Sequence, residues 1–128
     1  MKTLKVVAAI IKDKDKIFAT KRGHGEFKNG WEFPGGKIEP GERPEEALHR
    51  EIMEELNIEI NIEGLFDIVE YDYPNFHLTL YCFISSIKSG KIVLLEHEEG
   101  KWLGKDKLDS VGWLPADINL IIRLKDEL

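Results

Sequence analysis

The segment Pro44–Leu56 constrains this chain most, because a helix start, a helix stop, a core stripe and an acidic cluster coincide there. Pro44 suits the first position of a helix, where its missing N–H costs nothing. Glu45 and Glu46 favour the positive end of the helix dipole. Leu48, Ile52 and Leu56 recur at i, i+4 and i+8 and form an apolar stripe. Asn57 follows where a helix ends on a residue tolerant of left-handed geometry. At roughly 100° per residue, Glu55 lies about 40° from Glu51 and Glu54 about 60° to the other side. Three carboxylates therefore share one sector beside the stripe. Exposed like charges this close repel by a few tenths of a kcal/mol per pair, roughly 0.2–0.5. A bound Mg²⁺ turns that repulsion into coordination, since magnesium takes oxygen ligands in an octahedron. A solvated acidic helix face is the other reading of the same three residues.

The rest of the chain predicts a sheet around this helix. Leu4–Ile11 is a continuous apolar run rich in Val and Ile, as in a strand buried on both faces. Lys16–Lys21 follows a polar turn as a short strand. Gly23–Gly30 has three glycines and no apolar periodicity, so it reads as an exposed loop. Trp31-Glu32-Phe33 is a short strand stopped by Pro34-Gly35-Gly36. Glu63–Tyr73 and Phe76–Ile87 form a hairpin across Pro74-Asn75, and Lys101–Leu103 adds a strand. Pro115–Leu128 is a second helix, with Ile118, Ile121, Ile122 and Leu124 at helical spacing. Strands at both ends with helices between them give a mixed α/β sandwich.

The 128 residues are the length of one domain, and no linker, repeat or low-complexity tract divides them, so residues 1–128 read as a single domain. No apolar run approaches a membrane span. Val6–Ile11 lacks a cleavage site and leads into Lys12-Asp13-Lys14-Asp15, so it is no export signal and the cytoplasm is the expected location. The single cysteine, Cys82, lies in an apolar run and reads as a buried structural thiol. The first 37 residues carry nine Lys/Arg against four Asp/Glu, while the remainder carries nine against twenty. A net charge of −6 disfavours binding of nucleic-acid polymers. It does not disfavour small phosphates if a divalent cation stands between the two negative partners.

From Gly36 the chain runs Gly36, five residues, Glu42, seven residues, Arg50-Glu51-Ile52-Met53-Glu54-Glu55-Leu56-Asn57-Ile58. This resembles the Nudix box, Gly-x5-Glu-x7-Arg-Glu-U-x-Glu-Glu-x-Gly-U with U aliphatic, at eight of its nine specified positions. The departure is Asn57 in place of glycine, and Asn is the next-best residue for left-handed geometry. Outside the box, Trp31–Glu39, Phe76-His77-Leu78-Thr79-Leu80, Glu96-His97 before Trp102, and Pro115-Ala116-Asp117 resemble the MutT-type branch. That branch includes 8-oxo-dGTP-cleaving enzymes and CTP pyrophosphohydrolases.

The resemblance implies a Nudix-type α/β/α sandwich, a mixed sheet between helices. It implies Mg²⁺-dependent hydrolysis of a nucleoside triphosphate to monophosphate and pyrophosphate, with Mn²⁺ able to substitute. Glu51, Glu54 and Glu55 would bind metal, with the Gly35 carbonyl completing the site. Arg50 would orient the carboxylates, its i+4 partner being Glu54. Gly36 and Glu42 belong to the motif, and Glu42 would hold its loop or support the metal site. Glu96 would be metal ligand or general base on a mobile loop. Arg22 and Lys37 are candidates to meet phosphates or sugar, and Phe76 to stack on the base. Asp117 would meet the base edge. Ionised, it only accepts hydrogen bonds, so it should prefer the amino group of cytosine or the N7–H of 8-oxoguanine over the O6/N7 edge of guanine. Hydrolysis of ADP-ribose or dinucleoside polyphosphates, and nucleotide sensing without cleavage, are the alternatives. The oligomeric state stays open.

Overall fold

The computed structural model describes residues 2–127. Its elements are β1 (Lys2–Asp13), β2 (Lys16–Lys21), β3 (Trp31–Glu32), β4 (Gly35–Lys37), α1 (Pro44–Leu56), β5 (Glu59–Tyr73), β6 (Phe76–Ser89), β7 (Glu99–Gly104), a 3-10 helix (Lys105–Ser110) and α2 (Pro115–Glu127). The sheet runs β3-β2-β1-β6-β5, with β4 added to β1 and β7 to β2. β1 and β6 are parallel, from Lys2 beside Phe76 to Ile11 beside Ser85, and the other strand pairs among the described residues are antiparallel, with one isolated parallel bridge from Trp31 to Trp113. The sheet is therefore mixed, with helices, as expected.

The apolar run in β1 is explained by burial on both faces. Ala8 and Ile10 enter the core that α2 covers with Leu120, Ile121 and Leu124. Val7, Ala9 and Ile11 enter the core that α1 covers with Leu48, Ile52 and Leu56. A strand with polar alternation would strand hydrophilic groups in one of these two cores.

Three expectations are corrected. The stripe on α2 is Leu120, Ile121 and Leu124, whereas Ile118 and Ile122 are 49% and 58% exposed; the spacing admits two faces, and packing against β1 and β6 selects the one containing Leu120. β5 starts at Glu59 rather than Glu63, and its register shifts at three points along β6. Pro34-Gly35-Gly36 does not simply end a strand: Gly35–Lys37 re-enters as β4, opposite Val6–Ala8. One residue of the second predicted helix, Leu128, lies outside the described residues.

The glycines make β4 possible. A Cβ on Gly35 would stand 1.9 Å from the Val7 carbonyl oxygen, and one on Gly36 would stand 2.3 Å from Oε2 of Glu51. The backbone of β4 is thus pressed between β1 and the acidic face of α1. The edge of β1 that holds β4 at Val6–Ala8 holds β2 further on, at Lys12 and Asp13.

Candidate active site

Helix α1 ends as its sequence requires. Asn57 has φ 56° and ψ 39°, and its N–H donates to the Met53 carbonyl at 3.1 Å. The box glycine is thus replaced without loss of the left-handed cap. Two further main-chain bonds finish the helix: Val93 N–H donates to Leu56 O at 2.9 Å, and Leu95 N–H to Glu55 O at 3.0 Å. On the far side of Glu96, Glu98 N–H donates to Lys21 O at 3.0 Å. The expected mobile loop at Glu96 is thus fastened to α1 on one side and β2 on the other. The reason is that the helix C-terminus leaves carbonyls needing donors, and this segment supplies them.

Arg50 organises the acidic face. Its guanidinium donates to Glu42 at 2.7 and 2.9 Å, to Glu51 at 2.9 Å, and to the Lys37 carbonyl at 3.0 Å. The expected i+4 pair with Glu54 exists at 3.3 Å, but the two-pronged bond to Glu42 is the tighter one. Glu42 also accepts from Glu39 N–H at 2.8 Å. The Arg50 guanidinium, helped by that backbone N–H, holds the Glu42 carboxyl down at about 2. Arg50 therefore locks the loop after β4, the strand β4 itself and the helix into one unit.

The three helix glutamates do not stand alike. Glu55 is buried, at 4% exposure. Burial, reinforced by the charge of the neighbouring Glu51 and a hydrogen bond to it, pushes the Glu55 carboxyl well above the usual range. Its Oε1 accepts from Gly35 N–H at 3.3 Å. Glu54, about 60° round the helix on the other side of Glu51, keeps a half-exposed side chain turned to Arg50. Among the described residues, no three acidic, His or Cys side chains converge as a metal-binding group. What is gathered is the Glu51–Glu55 pair against Gly35 and Gly36, with Glu96 adding its charge to that of Glu51.

This pair lies in a cleft of about 1240 Å³. Arg22, Lys37, Phe76, Glu96 and Asp117 all line it, whereas Glu42, Arg50 and Glu54 do not. At the other end are aromatic rings: Tyr73 stacks on Phe76 with centroids 5.0 Å apart and meets Phe27 at 5.1 Å. Tyr73 also accepts a bond on its hydroxyl oxygen from Ala116 N–H at 3.3 Å, tying the hairpin to the start of α2.

Two residues in the cleft carry more than the sequence reading assigned them. Glu32 binds the Arg22 guanidinium in a two-pronged pair at 2.7 and 3.0 Å. His97 is almost buried, with Nε2 3.8 Å from both Glu32 and Glu55. Their signals were an acidic residue inside an apolar strand and a histidine beside Glu96. Arg22 is accordingly not a free surface cation. Asp117 is corrected too. It is 5% exposed, and burial, together with the charge of Glu32, raises its carboxyl well above the ordinary range. The site favours the neutral acid, which can donate as well as accept, over the ionised acceptor expected.

Comparison with known proteins agrees with this geometry. The NUDIX domain model matches residues 1–124. The 8-oxo-dGTP diphosphatase of Escherichia coli (strain K12) is 36% identical over 127 residues, covering 98% of each chain. The CTP pyrophosphohydrolase of the same strain is 33% identical over 122 residues, covering 94% of this chain and 90% of that protein. The solution structure of the E. coli ORF135 protein superposes with a TM-score of 0.84 at 31% identity, covering 98% of this chain and 91% of the other. With the family model spanning nearly the whole chain and the box intact but for a residue that keeps the same cap, this protein belongs to the Nudix family.

Proposed function

We propose that the chain, acting as one domain in the cytoplasm, hydrolyses a nucleoside triphosphate to the monophosphate and pyrophosphate. The base it takes first is an oxidised guanine, as in 8-oxo-dGTP. The observation that carries this reading is the pairing of buried Glu55 with half-buried Glu51, set against the Gly35–Gly36 backbone at one end of a cleft whose other end is aromatic and holds Asp117. Relatives named 8-oxo-dGTP diphosphatase support it.

The donor set fits a hard divalent cation. It consists of oxygens, chiefly of carboxylates, with Glu55 held beside Glu51 although burial and the Glu51 charge disfavour its ionised form. Glu51, Glu54, Glu55, Glu96 and the Gly35 carbonyl are the groups that would hold Mg²⁺, or Mn²⁺ in its place. When bound, the cation supplies charge neutralisation along the phosphate chain and a more acidic water. Arg50 orients Glu51 and Glu54 through the contacts described. Lys37 and Arg22 face the phosphates and sugar, and Phe76 with Tyr73 offers the base a stacking surface. Glu96 stands at the rim, where it serves as ligand or as proton acceptor.

Asp117 reads the base. A neutral carboxyl donates through its O–H and accepts through its carbonyl. 8-Oxoguanine presents O6, an acceptor, beside N7–H, a donor, and so matches both groups. Guanine presents two acceptors on that edge and matches one. Cytosine presents N3 beside its amino group and also matches both. Together with the 33% identity to a CTP pyrophosphohydrolase, that makes cytosine nucleotides the second reading.

The test is pyrophosphate release from 8-oxo-dGTP, dGTP, CTP, dCTP, ADP-ribose and a dinucleoside polyphosphate, with and without chelator, in ¹⁸O-labelled water. Cleavage of 8-oxo-dGTP well above dGTP, abolished by chelator and giving pyrophosphate, is expected. Initial release of orthophosphate and diphosphate, or a preference for ADP-ribose, overturns the reading.

A further inference from the structure

We propose that His97 is a positioning residue that couples the cation-binding end of the cleft to its base-binding end. The inference rests on the reading of Glu55 as a metal ligand. The side chain of His97 is 9% exposed, and its Nε2 stands 3.8 Å from Oε1 of Glu55 and 3.8 Å from Oε2 of Glu32. Each of those carboxylates is otherwise engaged on its own side: Glu55 with Gly35 N–H at 3.3 Å, Glu32 with the Arg22 guanidinium at 2.7 and 3.0 Å. The imidazole is thus flanked by two carboxylates that belong to different halves of the site.

The other ring nitrogen sharpens the point. Nδ1 is buried and has no hydrogen-bond partner. Leaving a buried polar atom unpaired costs stability, and an apolar side chain would fill the space without that cost. The Glu32 carboxylate, held by Arg22, favours the tautomer with hydrogen on Nε2, which leaves Nδ1 as a bare lone pair. The ring is therefore oriented by what Nε2 faces. Its backbone is held in the same sense, with Leu95 N–H bonded to Glu55 O at 3.0 Å and Glu98 N–H to Lys21 O, beside Arg22, at 3.0 Å. Both distances from Nε2 exceed a hydrogen bond, so closing on one carboxylate means leaving the other. Whatever draws Glu55 toward a cation changes what His97 offers Glu32, and whatever engages the Arg22–Glu32 pair changes what it offers Glu55. Such coupling is reciprocal.

The test reads metal affinity without turnover. Free Mn²⁺ is titrated into the nucleotide-free protein at one pH and followed by electron paramagnetic resonance, for the wild type, His97→Ala, His97→Gln, Glu32→Gln and both double variants. His97→Ala is expected to weaken Mn²⁺ binding about tenfold, the scale seen when a group that orients a ligand is lost. His97→Gln, whose amide can stand near Nε2, is expected to recover most of that loss. Glu32→Gln is expected to change Mn²⁺ affinity in the wild-type background and to have no effect once residue 97 is alanine, since the cycle isolates the coupling. If His97→Ala does not fold, the cycle is built on His97→Leu, which fills the space without a polar group, and is read for the same non-additivity. A purely structural histidine would lower the melting temperature and leave Mn²⁺ affinity unmoved, which overturns the proposal, as does strict additivity of the two substitutions. A wild-type chain that fails to bind Mn²⁺ at all overturns the metal reading and this inference together. Wild-type binding that His97→Ala leaves intact overturns the inference alone.

Discussion

A methyl group on Gly36 would occupy the carboxylate of Glu51: the Cβ position lies 2.3 Å from Oε2 and 2.4 Å from Cδ. Strand β4 and helix α1 therefore approach closely at the point where the acidic pair forms. Gly36→Ala must displace Glu51, whose side chain can move, at an overpacking cost of about 1–3 kcal/mol. We expect Mn²⁺ affinity and kcat to fall together in this variant while the fold survives. Gly35→Ala should be worse for stability, because the clash is with the Val7 backbone carbonyl at 1.9 Å, which a rotamer change cannot relieve. Melting curves of the two variants decide it: equal losses would mean that the Val7 carbonyl does not confine Gly35 more tightly than Glu51 confines Gly36.

Glu55→Gln should separate activity from stability. Loss of this carboxylate should lower kcat by at least about 100-fold, the scale of losing one key electrostatic element. The metal-free protein should respond in the opposite direction. Burial and Glu51 raise the Glu55 carboxyl above its ordinary 4.5. The folded state therefore binds a proton that the unfolded chain gives up, and stability falls as pH rises from about 4.5 toward the raised folded value. Glu55→Gln removes that fall. With chelator present, the variant should melt higher than the wild type at neutral pH, and the gap should close toward pH 4. A variant that is equally stable at all pH values, or nearly as active as wild type, would count against this role of the buried Glu55 carboxyl.

Glu42 behaves with the opposite sign. Arg50 and the Glu39 N–H depress its carboxyl from 4.5 to about 2. Its contribution to stability is complete above about 4.5 and is lost as pH falls through about 2. The difference in melting temperature between wild type and Glu42→Gln should therefore be constant from pH 5 to 7 and shrink steadily below pH 4. Circular dichroism in an acid series checks this. A difference that persists undiminished at pH 2 would show that Glu42 acts through something other than its charge on Arg50.

The parts of this molecule that could be read from its sequence are those governed by local periodicity and spacing. The stripe Leu48, Ile52, Leu56, the cap at Asn57 and the doubly buried β1 all follow from residues within a few turns of one another. What escaped depends on long-range approach. Nothing local to Gly35–Lys37 says that it pairs with Val6–Ala8, and nothing local to Ile118 and Ile122 says that they face outward while Leu120 faces in. The same holds for the cleft. Glu51 and Glu55 were legible as neighbours on a helix. Glu32 and His97, 65 residues apart, meet only because β2 brings β3 and the segment before β7 together. The ionisation of Asp117 was unreadable for a related reason, since burial by other elements sets it.

Asp117 gives the prediction that bears most directly on which base is taken. Its carboxyl is raised by burial first, then by the charge of Glu32, with Arg22 opposing. The neutral acid is present below the raised value and is lost as pH climbs through it. A base that needs both a donor and an acceptor from Asp117 should therefore be discriminated best at lower pH. The ratio of kcat/KM for 8-oxo-dGTP over dGTP should decline on the alkaline side in the wild type. Asp117→Asn carries a fixed N–H donor and a fixed carbonyl acceptor, so it should keep most of the discrimination and flatten its pH dependence. Asp117→Ala, which offers neither group, should lose roughly 1–3 kcal/mol of transition-state stabilisation with the preferred base. It should change the rate with dGTP much less, because Glu51, Glu55 and Arg50 are untouched. The three proteins assayed with both nucleotides from pH 6 to 9 settle the role. If Asp117→Asn is as damaged as Asp117→Ala, the neutral acid is not what meets the base; if both variants lose equally with every nucleotide, Asp117 supports the cleft rather than reading its contents.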